Sequence, residues 1–184
     1  MSKIIFVDRD GVINEFPGLG FYVTRWEDFR FLPGALEAIA LLTRAGYATL
    51  VLSNQGCVAK GLLSESALQE MTGRMLRLVE AEGGRIDGVY YCRHETSDNC
   101  ECKKPNTGLF KQAAEDRPID FGSAFFIGDT AEDVEAGKRI GCKTILVLSG
   151  KTHGTGEAAR FTVKPDAIKK DLLEAAQWVI KNAS

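Results

Sequence analysis

The chain has no surplus of positive charge. Its 23 lysines and arginines face 25 aspartates and glutamates, a formal net charge of −2, so nothing is left over to neutralise the phosphates of a nucleic acid or the surface of a membrane. No run of 18 uninterrupted apolar residues offers a membrane span, and Met1-Ser2-Lys3 leads straight into a strand pattern with no hydrophobic leader region. Internal repeats, low-complexity tracts and interdomain linkers are missing as well. These absences, with 184 residues to build a core, lead us to expect one domain over residues 1–184. The same features suggest a cytoplasmic monomer with no nucleic-acid or membrane partner. Cysteine is sparse except in one place. Cys92, Cys100 and Cys102 crowd around His94, one of only two histidines, which suits a metal site in a reducing compartment better than a disulfide framework.

What is present is organised around the first strand. Residues 4–7, Ile-Ile-Phe-Val, are apolar without alternation, as in a parallel strand covered on both faces. Asp8 and Asp10 follow at once, ahead of Gly11. Two ionised carboxylates this close repel unless a cation joins them, and Mg²⁺, which takes oxygen ligands, is the simplest partner. An EF-hand loop also opens on Asp-x-Asp-x-Asn, but Val12, Ile13 and Leu19 stand where it needs a ligand, a glycine and a glutamate. A strand-end Asp can also be a plain turn residue, so the decision rests on what the other strands bring.

Further strands are expected at residues 48–52, 86–91, 124–127 and 144–148, with helices at 34–45, 64–82, 106–115 and 166–181, and a glycine-containing loop over 149–164. Strands alternating with helices give a Rossmann-like α/β fold, a doubly wound parallel sheet with helices on both faces and no large cap domain. Ligands bind such sheets beyond the carboxyl ends of the strands. Ser53-Asn54-Gln55-Gly56 ends the second strand and offers a hydroxyl and turn N–H groups to a phosphate. Gly128-Asp129-Thr130 ends the fourth, and Asp133 falls one helical turn later on the same face. The aromatic connection 15–32 leaves the same edge. Most of its rings should pack on the core, though its position also suits a flap over substrate.

After the third strand come Cys92, His94, Cys100 and Cys102, two pairs of soft ligands that can close a tetrahedral Zn²⁺ site around residues 92–102. Four protein ligands leave no open position, so this metal is structural. Lys103-Lys104-Pro105 follows without a gap, and the proline restricts the backbone at Lys104. A lysine held between a metal knot and a proline is suited to meet a fixed anion.

With Asp8-x-Asp10-Gly11, Ser53, Lys104 and Gly128-Asp129 with Asp133 in this order, the chain resembles the haloacid dehalogenase-like phosphatases. The cysteine-rich loop resembles their zinc-containing branch, which acts on heptose bisphosphate and histidinol phosphate. The resemblance implies that Asp8 is the nucleophile, Asp10 the general acid and base, and Ser53 and Lys104 the phosphate's hydroxyl and cationic partners. It implies Mg²⁺ on Asp8, the Asp10 carbonyl and Asp129, with Asp133 as outer support. The Gly20-Phe21-Tyr22-Val23 and 53–61 stretches resemble the heptose enzymes, which puts Tyr22, Asn54, Gln55, Lys103 and Thr130 on the substrate side. The implied substrate is a small phosphorylated metabolite, heptose 1,7-bisphosphate, losing its 7-phosphate. Lys103 and Thr130 depart from an Arg and a Lys usual in those enzymes, and Arg is not freely exchanged for Lys at a bidentate phosphate contact. Two readings from other classes compete, a phosphoacceptor signalling domain, which would lack Asp10, and a zinc-binding interaction module, which would need more charge near the loop than Arg93, Lys103 and Lys104 supply.

Overall fold

A computed structural model of the chain describes residues 3–182. The apolar run after the N-terminus forms β1 (Lys3–Val7), followed by α1 (Ala35–Arg44), β2 (Tyr47–Asn54), α2 (Glu65–Ala81), β3 (Gly88–Cys92) and α3 (Gly108–Asp116). The second half continues with β4 (Phe125–Gly128), α4 (Ala131–Ile140), β5 (Lys143–Val147), a short α5 (Thr155–Ala158), β6 (Ala167–Lys169) and α6 (Leu172–Asn182). The six strands form one sheet in the order β3-β2-β1-β4-β5-β6, and every pairing is parallel.

Because side chains alternate along a strand, β1 feeds two cores. Ile5 and Val7 join Val51, Ile127 and Val147 on the face covered by α1, α2 and α6. Ile4 and Phe6 join Leu50, Leu52 and Phe126 on the face covered by α3 and α4. There Phe110 stands edge-on to Phe6 and to Phe126, with ring centroids 4.9 and 5.2 Å apart, geometry that adds about 1 kcal/mol per pair beyond burial.

β1 and β4 are neighbours, but the chain leaves β1 for β2 on one side and β4 for β5 on the other. Their carboxyl ends therefore open a crevice at the point where the winding reverses. Residues 8–34 connect β1 to α1. Trp26, Phe29 and Phe31 from this connection pack on the core, Trp26 stacked on Phe29 at 5.1 Å, whereas Phe16, Phe21 and Tyr22 lie over the crevice.

Two expectations are corrected near the C-terminus. The helix expected from residue 166 begins at Leu172, and Ala167–Lys169 is instead an edge strand paired with β5. Asp166 makes the difference. Its carboxylate accepts from Thr144 N at 2.6 Å and its own N donates to Thr144 O at 2.9 Å, fastening the segment to β5. Asp171 then starts the helix by accepting from Glu174 N at 3.0 Å. The loop expected over 149–164 also holds the single turn of α5. Among the described residues, no helix is long and apolar enough to cross a membrane.

Candidate active site

Three carboxylates meet at the crevice. Asp8 leaves β1, Asp129 leaves β4 and Asp133 sits in the first turn of α4, and oxygens from all three lie within 4.8 Å of one another. All are buried. Two glycines make the space. A Cβ on Gly11 or on Gly150 would run into Asp129 Oδ2, so these two backbones close around that carboxylate as no other residue could.

The cluster is short of positive charge. Burial raises the Asp8 pKa to about 6, against the pull of Lys104 and with help from the charges on Asp133 and Asp10. Burial likewise pushes Asp129 well above the carboxylate range, and Asp133 and Asp8 add to it. Asp129 Oδ2 accepts from Lys151 N at 2.6 Å, but its Oδ1 is buried with no partner among the described residues. Asp133 is spent differently. Its Oδ2 accepts from Asp129 N, Thr130 N and Thr130 Oγ1 at 3.2, 3.1 and 2.7 Å, while Thr130 Oγ1 accepts from Asp133 N in a capping box. An orphaned buried oxygen within an all-oxygen donor set fits a hard divalent cation.

Among the described residues, Lys104 is the one cation inside this cluster. Its Nζ lies 3.0 Å from Asp8 Oδ1 and 2.6 Å from Asp133 Oδ1, and it donates to Leu52 O at 3.0 Å. Burial works against its charge, but Asp133 and Asp8 outweigh it and hold the pKa above that of a free lysine. Its backbone is clamped by Asn54, whose Oδ1 accepts from Lys104 N at 3.0 Å and whose Nδ2 donates to Lys104 O at 3.2 Å. Asn54 thus uses its amide on the backbone that carries the lysine. On Asp8, both Lys104 and Arg9 N (2.8 Å) bind Oδ1, and Oδ2 has no protein partner among the described residues.

Asp10 faces a separate network. Arg9 donates to both of its oxygens, Asn14 Nδ2 to Oδ1 at 2.8 Å and Gln55 Nε2 to Oδ2 at 2.9 Å. The same Gln55 nitrogen reaches Ser53 Oγ at 3.0 Å. Gln55, placed on the substrate side by resemblance, is buried and bonded within this network.

A pocket of about 260 Å³ opens over these groups, lined also by Phe16, Phe21, Tyr22, Lys103, Thr130 and Lys151. Lys103 Nζ donates to Thr96 Oγ1 at 2.9 Å, and Tyr22 accepts from Lys60 Nζ at 2.9 Å. Beside the pocket, Cys92 Sγ, His94 Nδ1, Cys100 Sγ and Cys102 Sγ also fall within 4.8 Å of one another. Cys92 to Cys100 is 3.6 Å, Cys100 to Cys102 3.5 Å and Cys92 to Cys102 3.1 Å, two edges close to and one shorter than the roughly 3.7 Å edge of a tetrahedron with zinc–sulfur arms of about 2.3 Å. No pair is disulfide-bonded, and the donor set fits a closed zinc site.

Arg9, Asn14, Gly150 and Lys151 were not singled out from the sequence. The position of Arg9 between two aspartates was a usable signal. Gly150 and Lys151 reach Asp129 from beyond β5, and nothing local marks them.

A carboxylate cluster at the winding reversal of a parallel sheet, with a hydroxyl on the neighbouring strand end and a lysine from the loop after β3, defines a haloacid dehalogenase-like hydrolase. The Hydrolase_like model, the HAD-hydrolase-like family, matches residues 101–175. The D-glycero-beta-D-manno-heptose-1,7-bisphosphate 7-phosphatase of Haemophilus ducreyi is 36% identical over 97% of this chain and 98% of its own. The enzyme of that name from Pseudomonas aeruginosa is 35% identical over 82% and 84%. Among solved structures, D,D-heptose 1,7-bisphosphate phosphatase from B. bronchiseptica, complexed with magnesium and phosphate, superposes with a TM-score of 0.89 at 30% identity, covering 97% of this chain and 98% of its own. The corresponding Burkholderia thailandensis structure gives 0.74 at 32% identity, covering 98% and 99%. The chain belongs to the haloacid dehalogenase-like family, in the branch that holds these heptose bisphosphate phosphatases.

Proposed function

We propose that the protein is a Mg²⁺-dependent phosphomonoester hydrolase that removes the 7-phosphate of D-glycero-D-manno-heptose 1,7-bisphosphate. The observation that carries the chemistry is Asp8 itself, with one oxygen pinned by Lys104 and the Arg9 N–H and the other free at the floor of the pocket. In this reading Asp8 Oδ2 attacks phosphorus, and the P–O bond to the sugar breaks as Asp10 gives a proton to the leaving oxygen. Asp10 then takes a proton from the water that cleaves the aspartyl-phosphate. Ser53 and Lys104 offer a hydroxyl and a positive charge to the transferring phosphoryl oxygens. Asp8, the Asp10 carbonyl and Asp129 would hold Mg²⁺, which when bound neutralises phosphoryl charge.

The choice of substrate is supported by the relatives, which match over nearly the whole chain, and by Lys103, which lines the pocket as a cation not bonded to the Asp8 cluster. Comparing kcat/KM for the two heptose bisphosphate anomers with that for histidinol phosphate tests it, and a clear preference for histidinol phosphate would overturn it. Lys103→Ala should raise KM for the bisphosphate about tenfold, the worth of one charge-assisted hydrogen bond, and leave a monophosphate nearly unaffected.

The second metal is Zn²⁺ on Cys92, His94, Cys100 and Cys102, and its work is structural. Gln55 N donates to Cys92 O at 2.6 Å, and Asn54 holds the Lys104 backbone two residues past Cys102, so the loop bears on both Asp10 and Lys104. Protein prepared without chelators should carry about one zinc per chain, and stripping it should lower kcat with little change in KM. Zinc-free protein with full activity would remove the claim.

A further inference from the structure

Beyond the N–H that Arg9 gives to Asp8, its side chain takes no part in the chemistry above, yet that side chain is 1% exposed. A buried guanidinium is costly unless paired and fully bonded, and the partners it has chosen belong to one network. Nε donates to Asp10 Oδ1 at 3.1 Å, and Nη2 donates to Oδ1 and Oδ2 at 3.0 Å each. Nη2 also donates to Gln55 Oε1 at 3.1 Å, and Gln55 passes the connection to Asp10 Oδ2 and Ser53 Oγ. The rings of Phe29 and Tyr91 lie 5.8 and 5.7 Å from the guanidinium carbon, and Met71 Sδ lies 3.9 Å from Nη1. Such packing fixes the direction of a planar fork, and a fixed fork fixes the carboxylate it grips.

We propose that Arg9 is a positioning residue, which holds the Asp10 carboxylate in the orientation needed for proton transfer and, through Gln55, ties that orientation to Ser53. The proposal rests on Asp10 as the proton-transfer group of the hydrolase reading. A lysine could not replace it, because a single ammonium cannot grip two oxygens and an amide at once while stacking on aromatic rings. An Arg9 that served only to fill the core would stabilise the fold without distinguishing one leaving group from another.

Leaving groups provide the test. An alkoxide needs a proton as it departs, whereas p-nitrophenolate leaves as a stable anion. Kinetics are measured with p-nitrophenyl phosphate and with whichever of heptose 1,7-bisphosphate and histidinol phosphate the wild type cleaves faster. For Arg9→Met we expect kcat/KM, which reports the steps up to release of the leaving group and not the later hydrolysis of the aspartyl-phosphate, to fall about 10²-fold on the alkyl ester, the typical cost of a misplaced acid, and less than about threefold on the aryl ester. Arg9→Lys should fall between. Should Arg9→Met not fold, Gln55→Leu should show the same selectivity at about tenfold, since it removes one grip on Asp10 and strands no charge. Equal losses on both esters, or lower thermal stability with an unchanged ratio between esters, would overturn the role of Arg9. If Asp10→Asn itself fails to select against the alkyl ester, the assignment of Asp10 falls and this proposal with it. Selectivity in Asp10→Asn without selectivity in the Arg9 and Gln55 variants removes only this proposal.

Discussion

Asp8→Asn is expected to lower kcat by about 10⁵-fold or more, because an amide oxygen forms no stable phosphoryl adduct and the remaining groups only bind and polarise. Its effect on stability should go the other way. Asp8, Asp129 and Asp133 share one lysine in a buried space, so removing one negative charge relieves repulsion in the metal-free protein. The sign follows from the pKa. Asp8 titrates near 6 in the fold and near 3.9 in an unfolded chain, so the folded state binds the extra proton between these values. Stability of the metal-free wild type should therefore fall as pH rises from about 4 to about 6, and Asp8→Asn should lose that component. Mg²⁺ should reverse the ranking by stabilising the wild type in proportion to its occupancy. Thermal melts with and without Mg²⁺ on both proteins check this, and an active Asp8→Asn would refute the mechanism.

Lys104→Met should damage both activity and stability. Its ammonium lies against Asp8 and Asp133 and is almost fully buried beneath the pocket that Lys104 helps to line. Methionine matches its length but leaves two carboxylates facing each other, and breaking a buried pair by removing one partner costs about 3–5 kcal/mol. Urea unfolding at neutral pH should show that loss, and lowering the pH should recover part of it as the carboxylates protonate. For activity, the loss of a buried cation from the transferring phosphoryl group should cost about 10³-fold in kcat. The pair of variants is informative because it splits one cluster. Removing a negative charge stabilises the metal-free fold and removing the positive one destabilises it. A Lys104→Met protein as stable as the wild type would mean that the carboxylates are not ionised together.

Much of this was legible in the sequence because it is local. An unbroken apolar tetrapeptide followed by Asp8 and Asp10 reads as a buried strand with a charged tip, Ser53 and Asp129 sit at strand ends, and Lys104 leaves the cysteine-rich loop that follows β3. The two metal-binding sets are similarly compact in sequence, apart from Asp129. What was illegible depends on long-range packing. Ala167–Lys169 is too short to show a period, and only the bonds from Asp166 to β5 make it a strand. Gly150 matters because Asp129 lies against it, a contact between residues with no shared pattern. Asn54 and Gln55 illustrate a third case. Position predicts that both face the crevice, but only Asn54 lines it while Gln55 is buried, and their amides are used on Lys104 and Asp10, which depends on which donors and acceptors folding leaves unpaired. The place of Arg9 between two aspartates hints at an ion pair, but its burial follows only from Phe29 and Tyr91, which reach it from distant segments.

The account rests on a phosphoryl group passing through Asp8. Wild-type protein with Mg²⁺ can be mixed with ³²P-labelled heptose 1,7-bisphosphate, quenched in acid within milliseconds and digested. The predicted result is label on the peptide containing Asp8, released by hydroxylamine and absent from the Asp8→Asn protein. Phosphate release with no labelled peptide, or label on Asp129 or Asp133 instead, would contradict it.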